Sequence, residues 1–343
     1  MRLHPPRVAV AACRAAVFAS ALAVSAPTAG FAADGGTLTI YNSQDEGPVE
    51  ALAAAFEAKT GVRTSIRNGG APALARQIVD EGDHTPADIF YAEYSTALVT
   101  LADKSMLAPL GPEVTAAIPS QYSGAHGDWV GVTARSFVIL YNRKLIAEDK
   151  LPASILDLAK PEWKGKFAFN PRAAAFLELV VAVEKQKGAD AAKAWLSGLN
   201  DNGKAYPKNT AMVLAVDRGE VELAINADNY WQAVAKERGA DTLDARVHYI
   251  GAKDPGALLT VSGLGIPKFA PHKAEAERFA AFAVSDEGQK VLAEAAGDVP
   301  LRLGVASPVA LKGFDKAQAS PVTAAEIGDA ASALKLEQAV GIN

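Results

Sequence analysis

The sequence predicts an α/β protein built as two lobes. Three observations carry this. At 343 residues the chain is too long for one small core and suits two domains. Strand and helix signals alternate as βαβαβα from residue 37 to residue 102. A second stretch then repeats the style without repeating the sequence, and no Ser/Gly tether separates the two, so strands are expected to join them.

Residues 37–41 (TLTIY) alternate with a β-branched bias and predict the first strand. Pro48 opens a helix with Leu52 and Phe56 on one face and Gly61 as its stop. Residues 62–66 predict a second strand, followed by Asn68-Gly69-Gly70 and a helix through Leu74, Ile78 and Val79. Residues 87–91 (ADIFY) predict the third strand, and residues 96–102 its helix. This alternation implies a parallel sheet covered by helices. In the second stretch, residues 137–141 (FVILY), 167–169, 221–225 (VELAI) and 247–250 read as strands. Residues 173–186 and 189–199 read as helices, another helix starts near Trp231, and residues 271–296 read as a helical tail.

The first 32 residues are a leader. Arg2, Arg7 and Arg14 precede an apolar run, Ala15 to Ala26, too short to span a bilayer, and small residues follow at Gly30 and Ala32. This is the order of a secretory signal, cut between Ala32 and Ala33, and places the mature chain in a bacterial periplasm. Cys13, the one cysteine, falls in the discarded segment, so the mature chain is expected to hold no disulfide, thiolate nucleophile or Cys-based metal site. The formal charge of −5 becomes −8 without the leader, with 31 basic against 39 acidic residues. A net-acidic chain without a basic run is not expected to bind nucleic acid.

In open α/β sheets, ligands sit beyond the carboxyl ends of the strands. Those positions here hold Asn42 to Asp45, then Asn68 to Gly70, then Glu93 and Tyr94. In the second lobe they hold Asn170 and Arg172, then Asn209 and Thr210, then Asp228, Asn229 and Tyr230. Carboxylate and phenolate oxygens are hard ligands that suit a hard cation such as ferric ion, and helix N-termini beside them suit an anion. Asp45 reads equally as the cap of the helix near Pro48 or as a ligand, and Tyr230 beside Trp231 equally as packing or as a ligand. Arg172 at a helix start opposes the helix dipole and fits an anion partner. No HExxH, GxSxG, GxGxxG or GxxxxGK[ST] pattern is present, so no catalytic constellation or catalytic cofactor is expected.

Several segments, in order, carry a resemblance. Tyr41 to Gln44, Glu81 to Glu93, Trp163 to Lys166, Asn202 to Asn209, Asp254 to Leu258 and Pro300 to Arg302 resemble the periplasmic ferric-ion-binding proteins of bacterial iron ABC importers. The resemblance covers nearly all of the mature chain. It implies a two-lobed periplasmic-binding-protein (transferrin-like) fold, each lobe a mixed sheet flanked by helices, with hinge strands between. Lobe 1 would comprise residues 33–136 plus about 261–308, and lobe 2 about 137–260 plus 309–343. The implied partners are ferric ion or a small chelate and an inner-membrane ABC permease, and the implied state is a monomer.

That family holds ferric ion with a His, a Glu and two adjacent Tyr, together with an exogenous anion such as phosphate or carbonate. The Glu matches Glu93 and the second Tyr matches Tyr230, while the His position is Asp45 and the first Tyr position is Asn229. Asp45 remains an oxygen ligand; Asn229 is a poor replacement for a phenolate, and Asp228 and Tyr94 are the substitutes at hand. The resemblance assigns the anion to Arg135, Ala173, Ala174, Ala175 and Asn209, the alanines standing where the family has Ser-Gly-Ala, and Arg172 joins them by its place at the helix start. A free tyrosine ionises only near pH ~10, so a phenolate at neutral pH has to be induced by the metal. Two other readings remain at this stage: carriage of an organic or phosphorylated anion without metal, and a secreted hydrolase on the same scaffold.

Overall fold

The computed structural model describes residues 36–307 and 315–342, together with 1, 3 and 4. The predicted leader, its cleavage point and the expected lobe boundary at 308/309 lie outside the described residues. Every element below belongs to the compact unit Gly35–Asn343.

The first six elements follow the predicted alternation: β1 (Leu38–Asn42), α1 (Glu46–Thr60), β2 (Thr64–Asn68), α2 (Ala71–Glu81), β3 (Ile89–Ala92) and α3 (Ser95–Asp103). In α1, Val49, Leu52, Ala53 and Phe56 are buried, the spacing of a single helical face. Phe56 meets Phe279 edge-on with ring centroids 5.1 Å apart. Gly61 ends the helix at φ 74°, a left-handed conformation that favours glycine.

The short α4 (Pro112–Thr115) leads into β4 (Trp129–Asn142), longer than the apolar run alone suggests. Then follow β5 (Phe167–Phe169), α5 (Ala174–Lys187), α6 (Ala189–Asn202), β6 (Lys204–Ala205), α7 (Asn209–Asp217), β7 (Leu223–Ala227), α8 (Asp228–Arg238) and β8 (Ala245–His248). The chain returns through β9 (Leu259–Gly265), α9 (Lys273–Ala283), α10 (Asp286–Ala296) and β10 (Val299–Pro300), and closes with α11 (Ala324–Ile327) and α12 (Ala331–Ala339).

The strands run in the order β2-β1-β3-β9-β4-β7-β5-β6, with β8 and β10 also paired to β4. The expected parallel arrangement holds for β2, β1 and β3, but β9 enters antiparallel between β3 and β4. A strand that arrives from the far half of the molecule has no crossover helix to turn it parallel.

β4 makes the junction. Residues 129–136 pair with β9, and residues 137–142 pair with β7 and β8. All 14 of its residues are buried, which is why it reads as an apolar run rather than an alternation. Gly131 sits at its irregular register, where a Cβ would come within 2.2 Å of the Tyr122 carbonyl oxygen.

The core divides along the same line. One hydrophobic cluster draws on Leu38 through Ala134, on Leu259 through Leu301, and on Ala324. The other two draw on residues from Phe137 onward, with a single exception, Tyr94. Among the described residues no helix is long and apolar enough to cross a membrane.

Candidate functional site

Where the two halves meet, β4 carries Arg135, a guanidinium only 3% exposed. A charge this deep is costly unless paired and hydrogen-bonded. It is paired four times. Nε donates to Asp298 Oδ1 at 3.1 Å, and Nη1 donates to Glu93 Oε1 at 2.6 Å. Nη2 donates to Gln44 Oε1 at 2.7 Å and to Asp45 Oδ2 at 3.3 Å. Burial works against the charge, but Asp298 first, then Tyr94, Glu93 and Asp45, outweigh it and hold the guanidinium well above its ordinary pKa.

The carboxylates come from two strand-to-helix turns. Asp45 follows β1 and occupies the N-cap position of α1, yet its side chain makes no cap hydrogen bond and turns to Arg135 instead. It is 70% exposed, whereas Glu93, directly after β3, is 26% exposed. Gln44 is held in turn by Ser262, whose hydroxyl accepts its Nε2 at 3.0 Å.

Phenols adjoin this cluster. Tyr94 is buried, and burial first, then Glu93 and Tyr230 nearby, push its hydroxyl well above the ordinary tyrosine value. It also lines a cavity of about 470 Å³ between α2 and α3, with Thr96 beside it and Ala174 opposite. Hydrogen bonds thus gather Asp45 and Glu93 on Arg135, and Tyr94 lies within electrostatic reach of Arg135 and Glu93 on one side and of Tyr230 on the other. All the uncharged or anionic groups offer oxygen, the donor class that suits a hard trivalent cation. Among the described residues no three His, Cys, Asp or Glu side chains converge as a metal cluster.

Asp228, the first residue of α8, is engaged elsewhere. Its Oδ1 accepts the Ser136 backbone N–H at 3.2 Å and its Oδ2 accepts the Tyr249 hydroxyl at 3.0 Å. Burial is the main cause that lifts its pKa to about 7. This places Asp228 on the stretch of β4 where its partners change from β9 to β7 and β8.

The proposed anion residues fall into two groups. Ala173, Ala175 and Asn209 line one small cavity of about 10 Å³, with Asn170 and Asn226. That is room for about one water. Asn170 Nδ2 donates to Asn209 Oδ1 at 2.9 Å, and Asn226 Nδ2 to the Asn209 carbonyl at 3.0 Å. Ala173 is the N-cap of α5 and makes no side-chain cap hydrogen bond, so the first N–H groups of the helix suit an exogenous acceptor. Arg172 is exposed, with its backbone N–H on Asn170 Oδ1 at 3.2 Å, and Ala174 faces the larger cavity. Arg135, with four of its donors on protein acceptors, stands with the carboxylates.

Residues 51–322 match the family described as bacterial extracellular solute-binding protein. The chain belongs to that family. This solute-binding protein is 36% identical over 335 residues to the major ferric iron-binding protein of Neisseria meningitidis, covering 96% of this chain and 98% of that one. It is 34% identical to the Fe(3+)-binding periplasmic protein of Serratia marcescens, over 91% and 92% of the two chains. Among solved structures it resembles iron-bound HitA from Pseudomonas aeruginosa, with a TM-score of 0.84, 44% identity and coverage of 89% and 99%. The solute-binding protein thus has the two-lobed, mixed α/β fold, with β4 and the start of β9 as strands between the lobes.

Reasoning from strand ends alone misses Asp298 and Glu178. Asp298 is 2% exposed and lies before a strand rather than after one. Glu178, 1% exposed on α5, looks in sequence like an ordinary helix-surface acid.

Proposed function

We propose that this solute-binding protein is a periplasmic carrier that captures ferric iron between its lobes and delivers it to an inner-membrane ABC permease. The single observation that carries the reading is the meeting of Glu93 and Asp45, from two separate turns, on one buried guanidinium beside Tyr94 and Tyr230. Relatives named for ferric iron binding support it over the rivals. Glu93, Asp45 and Tyr230 are the proposed metal ligands, with Tyr94 the nearer substitute and Asp228 the one already engaged at the hinge. Burial holds Tyr94 as a neutral phenol, and iron binding there would expel its proton.

An accompanying anion, phosphate or carbonate, would sit at the α5 N-terminus against Ala173, Ala174, Ala175 and Asn209, with Arg172 at the rim. The proposed lobes are residues 33–136 plus about 261–308, and about 137–260 plus 309–343, a division supported by the separate hydrophobic clusters. The proposal includes export with cleavage near Ala32/Ala33, a monomeric state and no catalytic activity. Closure of the lobes would present both surfaces to the permease in register.

Carriage of an organic or phosphorylated anion without metal is the second reading, favoured by Asn229 and Ala173-Ala174-Ala175 standing where the ferric-ion-binding family has a Tyr and Ser-Gly-Ala. One experiment separates them: native mass spectrometry of protein purified from periplasm without chelators, against its denatured mass. A non-covalent mass of iron, alone or with a small anion, supports the ferric reading. An organic mass without metal overturns it in favour of the second, and empty protein that also fails to load from ferric citrate overturns it outright.

A further inference from the structure

Asp298 touches none of the proposed ligands, yet it anchors the group that holds two of them. Its Oδ1 accepts Arg135 Nε at 3.1 Å, and its Oδ2 accepts the Thr133 hydroxyl at 3.0 Å, so both oxygens are engaged inside the protein. A guanidinium is a rigid planar fork, and fixing one edge fixes the direction of the others. Here the other two nitrogens reach Glu93 Oε1 and Asp45 Oδ2.

Charge gives Asp298 a second effect. Three carboxylates surround one guanidinium, which leaves two negative charges in excess. Without Asp298, the buried cation would take its compensation from Glu93 and Asp45, the groups a cargo cation needs. The interior amplifies such an imbalance because water is not there to screen it.

We propose that Asp298 is a positioning residue of the binding site, fixing Arg135 and balancing its charge so that Glu93 and Asp45 stay aligned toward the incoming cation. The inference rests on the ferric reading above. It predicts a residue that contributes no atom to the metal and still sets its affinity.

The test is a competition titration of purified protein with ferric citrate, comparing wild type with Asp298→Asn and reading the phenolate-to-iron absorption band and the melting temperature alongside. Asparagine keeps the size and an acceptor for Arg135 Nε and removes the charge, while its NH2 donates to the Thr133 hydroxyl in place of accepting from it. The expected result is ferric affinity about 10- to 100-fold weaker, the usual range for an outer-shell partner of a metal ligand. The absorption band should stay at its wild-type wavelength and the metal-free protein should melt close to wild type. Unchanged affinity in a folded Asp298→Asn protein overturns the inference, as does a shifted band, which would make Asp298 a ligand. Should Asp298→Asn not fold, Thr133→Val decides: a several-fold loss supports the role, and wild-type binding overturns it. Wild type that takes up no iron overturns the ferric reading itself, and that outcome is distinct from all the others.

Discussion

Glu178, 1% exposed on α5, lies near enough to the backbone N–H of Thr96, in the first turn of α3, for that group to favour its carboxylate, while its Oε1 has no hydrogen-bond partner among the described residues. The apolar residues of α3 belong to one hydrophobic cluster and those of α5 to another, so Glu178 and Thr96 face each other where the two clusters meet. Tyr94, the N-cap of α3, makes no side-chain cap hydrogen bond, which leaves the first N–H groups of that helix to other acceptors, and the Glu178 carboxyl is the buried acid beside them. Burial first, then the nearby Glu93, push the Glu178 carboxyl up to about 8, against the pull of the Thr96 N–H.

The sign of the pH effect follows. A carboxyl at about 8 in the fold and 4.5 when free keeps a proton in the folded state that it loses on unfolding. Its contribution to stability is present below pH 4.5, shrinks as pH rises, and is gone above about 8. The metal-free protein should therefore melt lower at pH 8.5 than at pH 6. Glu178→Gln, which keeps an acceptor and carries no charge, should flatten that slope, most clearly between the free value of 4.5 and the folded value of about 8, where only the folded state holds the proton. Differential scanning calorimetry across this range checks it, and parallel slopes for the two proteins would contradict it.

Glu93 and Asp45 should differ in how much they matter to ferric binding. Glu93 is the better shielded, at 26% exposed and 2.6 Å from Arg135, against 70% exposed and 3.3 Å for Asp45. Glu93→Ala should cost about 2 kcal/mol or more in ferric affinity, the lower end for truncating a partly buried, hydrogen-bonded charge. Asp45→Ala should cost clearly less, because an exposed charge is screened. Competition against citrate ranks the two, and equal losses would contradict the ordering.

Much of the fold is legible because its signals are local. The spacing of Leu52 and Phe56 with Gly61 as a stop defines α1 without any tertiary knowledge. β9 is different. Its sequence, LTVSGLG, carries two glycines that weaken a strand signal, and both are there for packing: a Cβ on Gly263 would lie 2.6 Å from the Val130 carbonyl oxygen. The helical tail reads as one segment but breaks at Ser285, whose hydroxyl accepts the Gly288 N–H and starts α10 afresh. Ser-Asp-Glu is a helix-start pattern, hidden here because apolar periodicity continues through it.

The site divides in the same way. Asp45, Glu93, Tyr94 and Tyr230 follow strands, and the strand-end rule finds them. The same rule selects Asp228, whose local position is right, although its oxygens go to Ser136 and Tyr249. Asp298 lies 163 residues from the arginine it anchors, and only the return of the chain through β9 and β10 brings the two together. No local pattern encodes such a pair.

Asn229 offers a gain of function. Its Oδ1 is buried and without a hydrogen-bond partner among the described residues, one residue before Tyr230. An unsatisfied buried amide oxygen costs about 1–3 kcal/mol, so its removal carries little penalty. Asn229→Tyr should supply a second phenol, raise ferric affinity and strengthen the phenolate-to-iron band. Titration followed by absorbance checks this, and a band no stronger than wild type would show that position 229 does not reach the metal.

The last prediction concerns what holds Asp298 in place. Gln289, fully buried on α10, uses its whole amide: Nε2 donates to the carbonyls of Val132 and Ala283, and Oε1 accepts the N–H groups of Leu301 and Arg302. It thereby joins α10 to β4 and to the segment just beyond β10, flanking Asp298. Gln289→Met keeps the volume but takes this partner from four backbone groups, of which the Leu301 N–H and the Val132 carbonyl still hold each other at 3.4 Å. At about 1–3 kcal/mol for each of the other two left unsatisfied, a loss of ~3 kcal/mol is expected. That should lower the melting temperature by roughly 6 °C, given about 2 °C per kcal/mol for a chain of this size. Gln289→Glu keeps the acceptor and loses the donors, so it should fall between wild type and Gln289→Met. Ferric affinity should drop along the same order, because a looser β10 lets Asp298 drift from Arg135. A protein that melts lower yet binds iron as tightly as wild type would separate the two effects and show that α10 supports the fold alone.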